Sequence, residues 1–151
     1  MANIQIIVGS MLGGTEYVAE ACEETLNELG HEVTVHLVPD FNEIPQEDQI
    51  WLICTSTHGA GDYPDNILPF VEALEKDDRD LSPLHFLVIG MGDSSYDTFC
   101  FAAKNIKKAL VSKGCKEVTP MLTLDMQQDI DPELAAQEWI AAKKDLLLPN
   151  N

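Results

Sequence analysis

Ile4-Gln5-Ile6-Ile7-Val8-Gly9-Ser10-Met11-Leu12-Gly13-Gly14-Thr15 is the stretch on which the fold turns. Its first part, Ile4 to Val8, is a nearly continuous apolar run, the pattern of a strand buried on both faces of a parallel sheet. Beyond it Val18, Ala21, Cys22, Thr25, Leu26 and Leu29 recur at helical spacing, with Glu16, Glu20, Glu23, Glu24 and Glu28 outside that stripe. This predicts an amphipathic helix ended by Gly30. Small residues between a strand and a helix leave backbone N–H groups at the helix N-terminus, a turn suited to an anion and usually a phosphate. A Walker A loop is excluded, because it needs Lys at position 15 and Ser or Thr at 16, where this chain has Thr15 and Glu16. A dinucleotide fingerprint would need Gly at position 11, which is Met11. A tight strand-to-helix turn with no ligand fits the same letters equally well, so the turn alone does not decide function.

Working outward, Val33, Val35 and Leu37 alternate with Glu32, Thr34 and His36, as in a half-exposed strand near a sheet edge. Ile50 to Cys54 is a second buried-strand run, followed by the long loop Thr55-Ser56-Thr57-His58-Gly59-Ala60-Gly61-Asp62-Tyr63-Pro64-Asp65-Asn66. A helix is predicted from about Asn66 to Lys76, burying Ile67, Phe70, Val71 and Leu74. His85 to Ile89 is a third buried strand, leading into Gly90-Met91-Gly92-Asp93-Ser94-Ser95-Tyr96-Asp97-Thr98-Phe99-Cys100 and then a helix that stops at Gly114. Val118 to Leu124 reads as an edge strand, because Pro120 interrupts it. Glu133 to Leu147 is predicted as a last helix, with Leu134, Trp139, Ile140 and Leu147 turned to the core. The alternation gives a doubly wound α/β fold: a five-stranded parallel sheet, order 2-1-3-4-5, with helices on both faces. Ligands in that topology sit beyond the carboxyl ends of the strands, near the switch between strands one and three. The loops after strands one, three and four converge there.

The 151 residues are expected to form one domain, 1–151, burying about two-thirds of the unfolded surface. Residues 1–75 hold 14 acids and no Lys or Arg; residues 76–151 hold 12 acids and nine bases, which together give the net charge of −17. Such a chain is repelled by nucleic acid and anionic membranes and is steered toward basic partners. No apolar run reaches a membrane span, and the N-terminus lacks the basic region of a signal peptide. Cys22, Cys54, Cys100 and Cys115 form no C-x-x-C pair and read as reduced, buried thiols of a cytoplasmic protein. His31, His36 and His85 show no metal spacing.

Taken together, the loops offer a phosphate turn and two planar side chains, His58 and Tyr96, an arrangement that describes a site for FMN. Gly9-Ser10-x-x-Gly13-Gly14-Thr15-Glu16, the loop Ser56 to Asn66 and the loop Gly90 to Cys100 resemble the flavodoxin-like proteins, most closely the short-chain MioC family. The chain is also similar to the FMN domains of diflavin reductases. The resemblance covers essentially the whole chain and implies the following roles. Ser10, Thr15 and the backbone of Met11, Leu12, Gly13 and Gly14 hold the phosphate. His58 faces one side of the isoalloxazine, within Ser56-Thr57-His58-Gly59-Ala60-Gly61, and Tyr96 stacks on the other. The Gly59 carbonyl accepts the N5 proton of the half-reduced flavin. Met91, Gly92, Asp93, Phe99 and Cys100 contact the ring edge, chiefly through backbone. Asp125 is a weaker match to an acidic position near the ribityl chain.

Two departures matter. Many members have Thr in place of Leu12 and a polar residue in place of Gly14; one lost hydrogen bond to phosphate costs about 1–3 kcal/mol, roughly one to two decades of affinity. His58 stands where diflavin reductases commonly have Tyr, which implies pH sensitivity near an imidazole pKa of about 6.5. Each residue also has a plainer reading: His58 as a loop residue, Tyr96 as a helix cap, Phe99 as core, and Cys100 as a small packing residue. Trp51 and Trp139 read as core. The expected function is electron transfer by a monomeric FMN carrier between the basic faces of a flavoprotein reductase and of an acceptor enzyme such as biotin synthase. The competing expectations are an FMN-dependent NAD(P)H or quinone reductase and a cofactor-free acidic interaction module.

Overall fold

A computed structural model describes residues 2–10, 14–57, 61–95 and 97–147. The apolar runs form the central strands β1 (Asn3–Gly9), β3 (Gln49–Ser56) and β4 (His85–Gly92), flanked on one edge by β2 (Glu32–His36). All pairings are parallel, in the order β2-β1-β3-β4, as expected. The fifth place departs from a single strand. It is filled by two short segments, β5 (Lys116–Glu117) and β6 (Leu122–Asp125), both paired with β4. From Phe86↔Glu117 to Ile89↔Leu122 β4 advances three residues and its partner five, so two residues loop out. The Val118 N–H still reaches the Phe86 carbonyl at 2.9 Å; Pro120, which has no N–H to give, follows two residues later.

Period-two alternation splits the core into two layers. Ile4, Ile6, Val8, Ile50, Leu52 and Cys54 face α1 (Gly14–Glu28) and α4 (Pro132–Ala142). Ile7, Trp51, Ile53, Phe86 and Val88 face α2 (Leu68–Lys76) and α3 (Phe101–Ser112). At the end of α1, Gly30 adopts φ +92° while its N–H bonds the Asn27 carbonyl and the His31 N–H bonds that of Leu26. This is a Schellman close, open mainly to glycine. Asp131 caps α4 by accepting from the Leu134 N–H at 3.1 Å, with Pro132 in the first turn.

Three helical expectations are corrected. The last helix ends at Ala142 and gives way to a short 3₁₀ turn, Lys144–Leu146, before Leu147 returns to the core. Leu134 is 50% exposed, because it lies on the face of α4 turned from the sheet, and Leu29 projects from the end of α1 at 39%. Trp51 is wholly buried, whereas Trp139 is half-buried and packs on the rim of the α1/α4 layer. The four cysteines are free, buried thiols.

Two histidines near the β2 edge are held neutral by burial, which lowers both pKa values from the ordinary 6.5. His31 Nδ1 accepts the Ala2 N–H at 3.0 Å, a bond that a protonated Nδ1 cannot make. His36 Nε2 lies 2.7 Å from Gln5 Oε1; Gln5 in turn donates to Gln49 at 2.9 Å, so the imidazole is the donor. With folded pKa values below unfolded ones, the stabilisation is complete above about pH 6.5 and is lost as pH falls through and below that value. The urea midpoint is therefore expected to fall between pH 7.5 and pH 5.5, above the range where carboxylates titrate. A midpoint that is flat across that window, or that rises toward acid, contradicts this account.

Candidate functional site

The site begins where β1 and β3 end side by side, with Gly9 opposite Thr55. The helix after β1 packs on one face of the sheet and the helix after β3 on the other, so a crevice opens between the two strand ends. A side chain at Gly9 would collide with Thr55 and come within 2.9 Å of Ile67 Cγ2; only glycine lets the strand ends approach this closely. Thr55 is buried and donates to the Ser56 carbonyl at 3.0 Å, and Ser56 Oγ donates to the Gly9 carbonyl at 3.5 Å. Gly14 and the buried Thr15 open α1. A Cβ at Gly14 would meet nothing within 4 Å, so the N-terminus of the helix faces open space there. The donor set of Ser10, Thr15, Ser56 and backbone N–H groups is neutral, and it fits a phosphate held by hydroxyls and a helix dipole.

Thr57 has a structural duty as well. Its hydroxyl accepts the Ala102 N–H at 3.1 Å, capping the first turn of α3 from another loop; what it can offer a ligand is its own O–H. Gly61 packs against Phe101, whose Cδ2 a Cβ would approach to 3.1 Å.

Met91 and Gly92 end β4, with the Met91 side chain buried in the α1/α4 layer. Beyond them two carboxylates organise the loop. Asp93 accepts from the Ser95 N–H at 2.9 Å, from Ser95 Oγ at 2.5 Å and from Gln127 Nε2 at 2.8 Å. Asp125, at the end of β6, accepts from the Ser94 and Gln127 N–H groups, each at 3.0 Å. Hydrogen bonds from Ser95 hold the Asp93 carboxyl below its usual range, and bonds from Ser94, then Gln127, do the same for Asp125. Both therefore stay ionised at the carboxyl ends of β4 and β6.

Cys100 precedes α3 in the left-handed region at φ +56° and is fully buried. A Cβ at Gly92 would come within 3.0 Å of its N and Sγ. Burial pushes its thiol up to about 11, so it acts as a packing residue and not a thiolate. Phe99 does not belong to the core: it is half-buried, with Lys104 Nζ 5.8 Å from its ring centroid. Met11, Leu12, Gly13, His58, Gly59, Ala60 and Tyr96 lie outside the described residues.

One residue that the sequence did not single out connects these loops. Asn66 Oδ1 accepts the Ser10 N–H at 2.9 Å, while Nδ2 donates to the Val8 carbonyl at 2.7 Å and to the Leu37 carbonyl at 2.9 Å. A lone Asn in a polar loop carries no periodic signal; its visible hints are its place at the end of the resembling loop and at the start of the predicted helix, and neither gives it a role. Among the described residues no group of three or more His, Cys, Asp or Glu could hold a metal, and no helix is long and apolar enough to cross a membrane.

A doubly wound parallel sheet whose first strand-to-helix turn opens on neutral hydroxyl donors at the switch point between β1 and β3 defines a class, and the family model for Flavodoxin matches residues 6–139. The chain belongs to the flavodoxin family of FMN-binding electron-transfer proteins, which are carriers and not stand-alone enzymes. Within the family it is closely related to the bacterial MioC proteins. It is 44% identical over 138 residues to the Protein MioC homolog of Pasteurella multocida, covering 91% of this chain and 93% of that one. Protein MioC of Escherichia coli K12 is 42% identical over 147 residues, with 97% and 99% covered. Among solved structures, a cysteine-to-alanine mutant of flavodoxin from Pseudomonas aeruginosa superposes with a TM-score of 0.87 at 33% identity, covering 96% of this chain and 98% of that chain.

Proposed function

We propose that this chain carries single electrons on FMN from a flavoprotein reductase to an acceptor enzyme in the cytoplasm, biotin synthase being one such acceptor. The observation that carries the reading is the crevice between β1 and β3, with hydroxyl donors and the open N-terminus of α1 at its mouth, and the ionised Asp93 and Asp125 at the carboxyl ends of the neighbouring strands β4 and β6. Ser10, Thr15 and the backbone from Met11 to Gly14 hold the phosphate. His58 and Tyr96 flank the ring, and the main chain from Gly92 to Cys100 meets its edge.

FMN supplies the redox chemistry, and the chain sets access and potential. Asp62 and Asp65 are exposed on the loop after β3, and Asp97 is exposed on the loop after β4 that also carries Asp93. Their negative charge opposes a second negative charge on the fully reduced flavin, so the last reduction step falls to lower potential. The same charge directs the protein to basic faces on both partners, in fast, salt-sensitive encounters.

The test is FMN titration of apoprotein followed by stepwise anaerobic reduction. Quenching of FMN fluorescence and two separated reduction steps are expected, the second at lower potential, with no rapid reduction by NAD(P)H alone. Absence of quenching at high FMN sinks the cofactor assignment. Rapid reduction by NAD(P)H without a second protein replaces the carrier by a reductase.

A further inference from the structure

We infer that Asn66 is a positioning residue for the phosphate turn: its carboxamide takes the place of an absent strand residue and fixes the plane of the Ser10 peptide. The inference rests on the FMN assignment above. The β1–β2 ladder stops at Ile7↔His36. Continued in the same register, it would place Val38 opposite Gly9, but Val38 is 83% exposed and the chain has turned away. In a parallel ladder, the residue opposite Gly9 gives its N–H to the Val8 carbonyl and accepts the Ser10 N–H with its own carbonyl. Those are the bonds Asn66 makes, at 2.7 and 2.9 Å, with Nδ2 and Oδ1 standing in for a peptide N–H and C=O. The second Nδ2 hydrogen goes to the Leu37 carbonyl at 2.9 Å, fastening the departing end of β2 to the same point.

The latch is itself rigidly held. Ile67 is wholly buried in the α2/α3 layer, and the Ile67 and Leu68 N–H groups bond the Pro64 carbonyl at 3.1 and 3.2 Å. Asn66 therefore reaches the end of β1 from a fixed turn. Ser10 is the first residue beyond β1, so the orientation of its peptide determines the direction in which the chain leaves the sheet toward the N-terminus of α1. An Asp at this position keeps the shape but loses both donors and brings a negative charge beside an anion turn. Ala loses all three bonds.

Apoprotein of wild type, N66A and N66D is titrated with FMN and with riboflavin, which has the ring and ribityl chain but no phosphate. FMN affinity is expected to fall about ten- to hundredfold in both variants, more in N66D, while riboflavin affinity is unchanged. Equal weakening of both ligands, or no weakening of either, overturns the inference and leaves the cofactor assignment standing. Failure of the wild type to bind FMN removes the assignment and the inference with it. A measurement that needs no variant is amide hydrogen exchange in the wild-type apoprotein. The Ser10 amide is expected to be slow although its β2 partner strand has ended, and an unprotected Ser10 amide overturns the latch.

Discussion

Trp51→Ala is expected to lower the unfolding free energy by about 4 kcal/mol, the largest single effect anticipated outside the site, because it opens a cavity and orphans a polar group at once. Trp51 is wholly buried on the α2/α3 face of β3. Its ring meets Phe41 edge-on at 6.2 Å between centroids and Phe70 at 5.7 Å with a 55° tilt, and Phe41 and Phe70 touch at 5.9 Å. These contacts bring Phe41, from the loop after β2, onto α2 and the sheet, and the Trp51 Nε1–H pins the same loop by donating to the Pro45 carbonyl at 2.9 Å. Truncation leaves both phenyl rings facing a void and the Pro45 carbonyl without its donor. Trp51→Phe keeps most of the packing and loses the N–H, so a penalty of about 1–2 kcal/mol is expected. In a domain of ordinary stability, about 5–15 kcal/mol, the Ala variant stands near the edge of folding. Urea denaturation followed by far-UV circular dichroism measures both. A loss below about 2 kcal/mol for the Ala variant contradicts the packing argument.

What the sequence made legible follows from the range of the interactions concerned. β1, β3 and β4 were visible because a strand buried on both faces must be apolar almost throughout, and α1 because one buried stripe imposes its spacing on Val18, Cys22 and Leu26. Pro120 announced an irregularity, but only the register against β4 shows that the strand divides and sheds two residues. Leu29 and Leu134 fit the helical stripe in letters yet lie beyond the reach of the sheet. Phe99 gave no sign that a lysine on α3, and not the core, accompanies it. The convergence of loops was legible, since topology alone brings the carboxyl ends together. The groups that hold those loops were not. Asn66 acts on residues 58, 56 and 29 positions away, and Asp125 on Ser94 from 31 away, so no local pattern encodes either.

Gly9→Ala is expected to damage both the sheet end and the cofactor site, with about 2 kcal/mol lost in stability and FMN affinity reduced roughly tenfold or more. The added methyl would collide with Thr55 Oγ1 and lie 2.9 Å from Ile67 Cγ2 and 3.1 Å from Thr55 Cβ. Neither neighbour can yield freely. Thr55 is β-branched, fully buried and bonded to the Ser56 carbonyl at 3.0 Å, and Ile67 anchors the turn that carries Asn66. Relief must come from parting the ends of β1 and β3, which displaces Ser10 and Ser56 together, or from pushing Ile67, which moves the Asn66 latch. Either movement reaches the phosphate turn. Gly14→Ala is the matched control: its Cβ meets nothing within 4 Å and it sits in the first turn of α1, where Ala is favoured by up to about 1 kcal/mol. That variant is expected to be at least as stable as wild type. Adding Thr55→Ala to Gly9→Ala removes the closer clash and leaves the contact with Ile67, so the double variant is expected to recover part of the stability and part of the affinity, a coupling that a double-mutant cycle reads directly. Full additivity in that cycle, or a Gly9→Ala protein with wild-type stability and FMN affinity, would show that the strand ends are not held together through this contact.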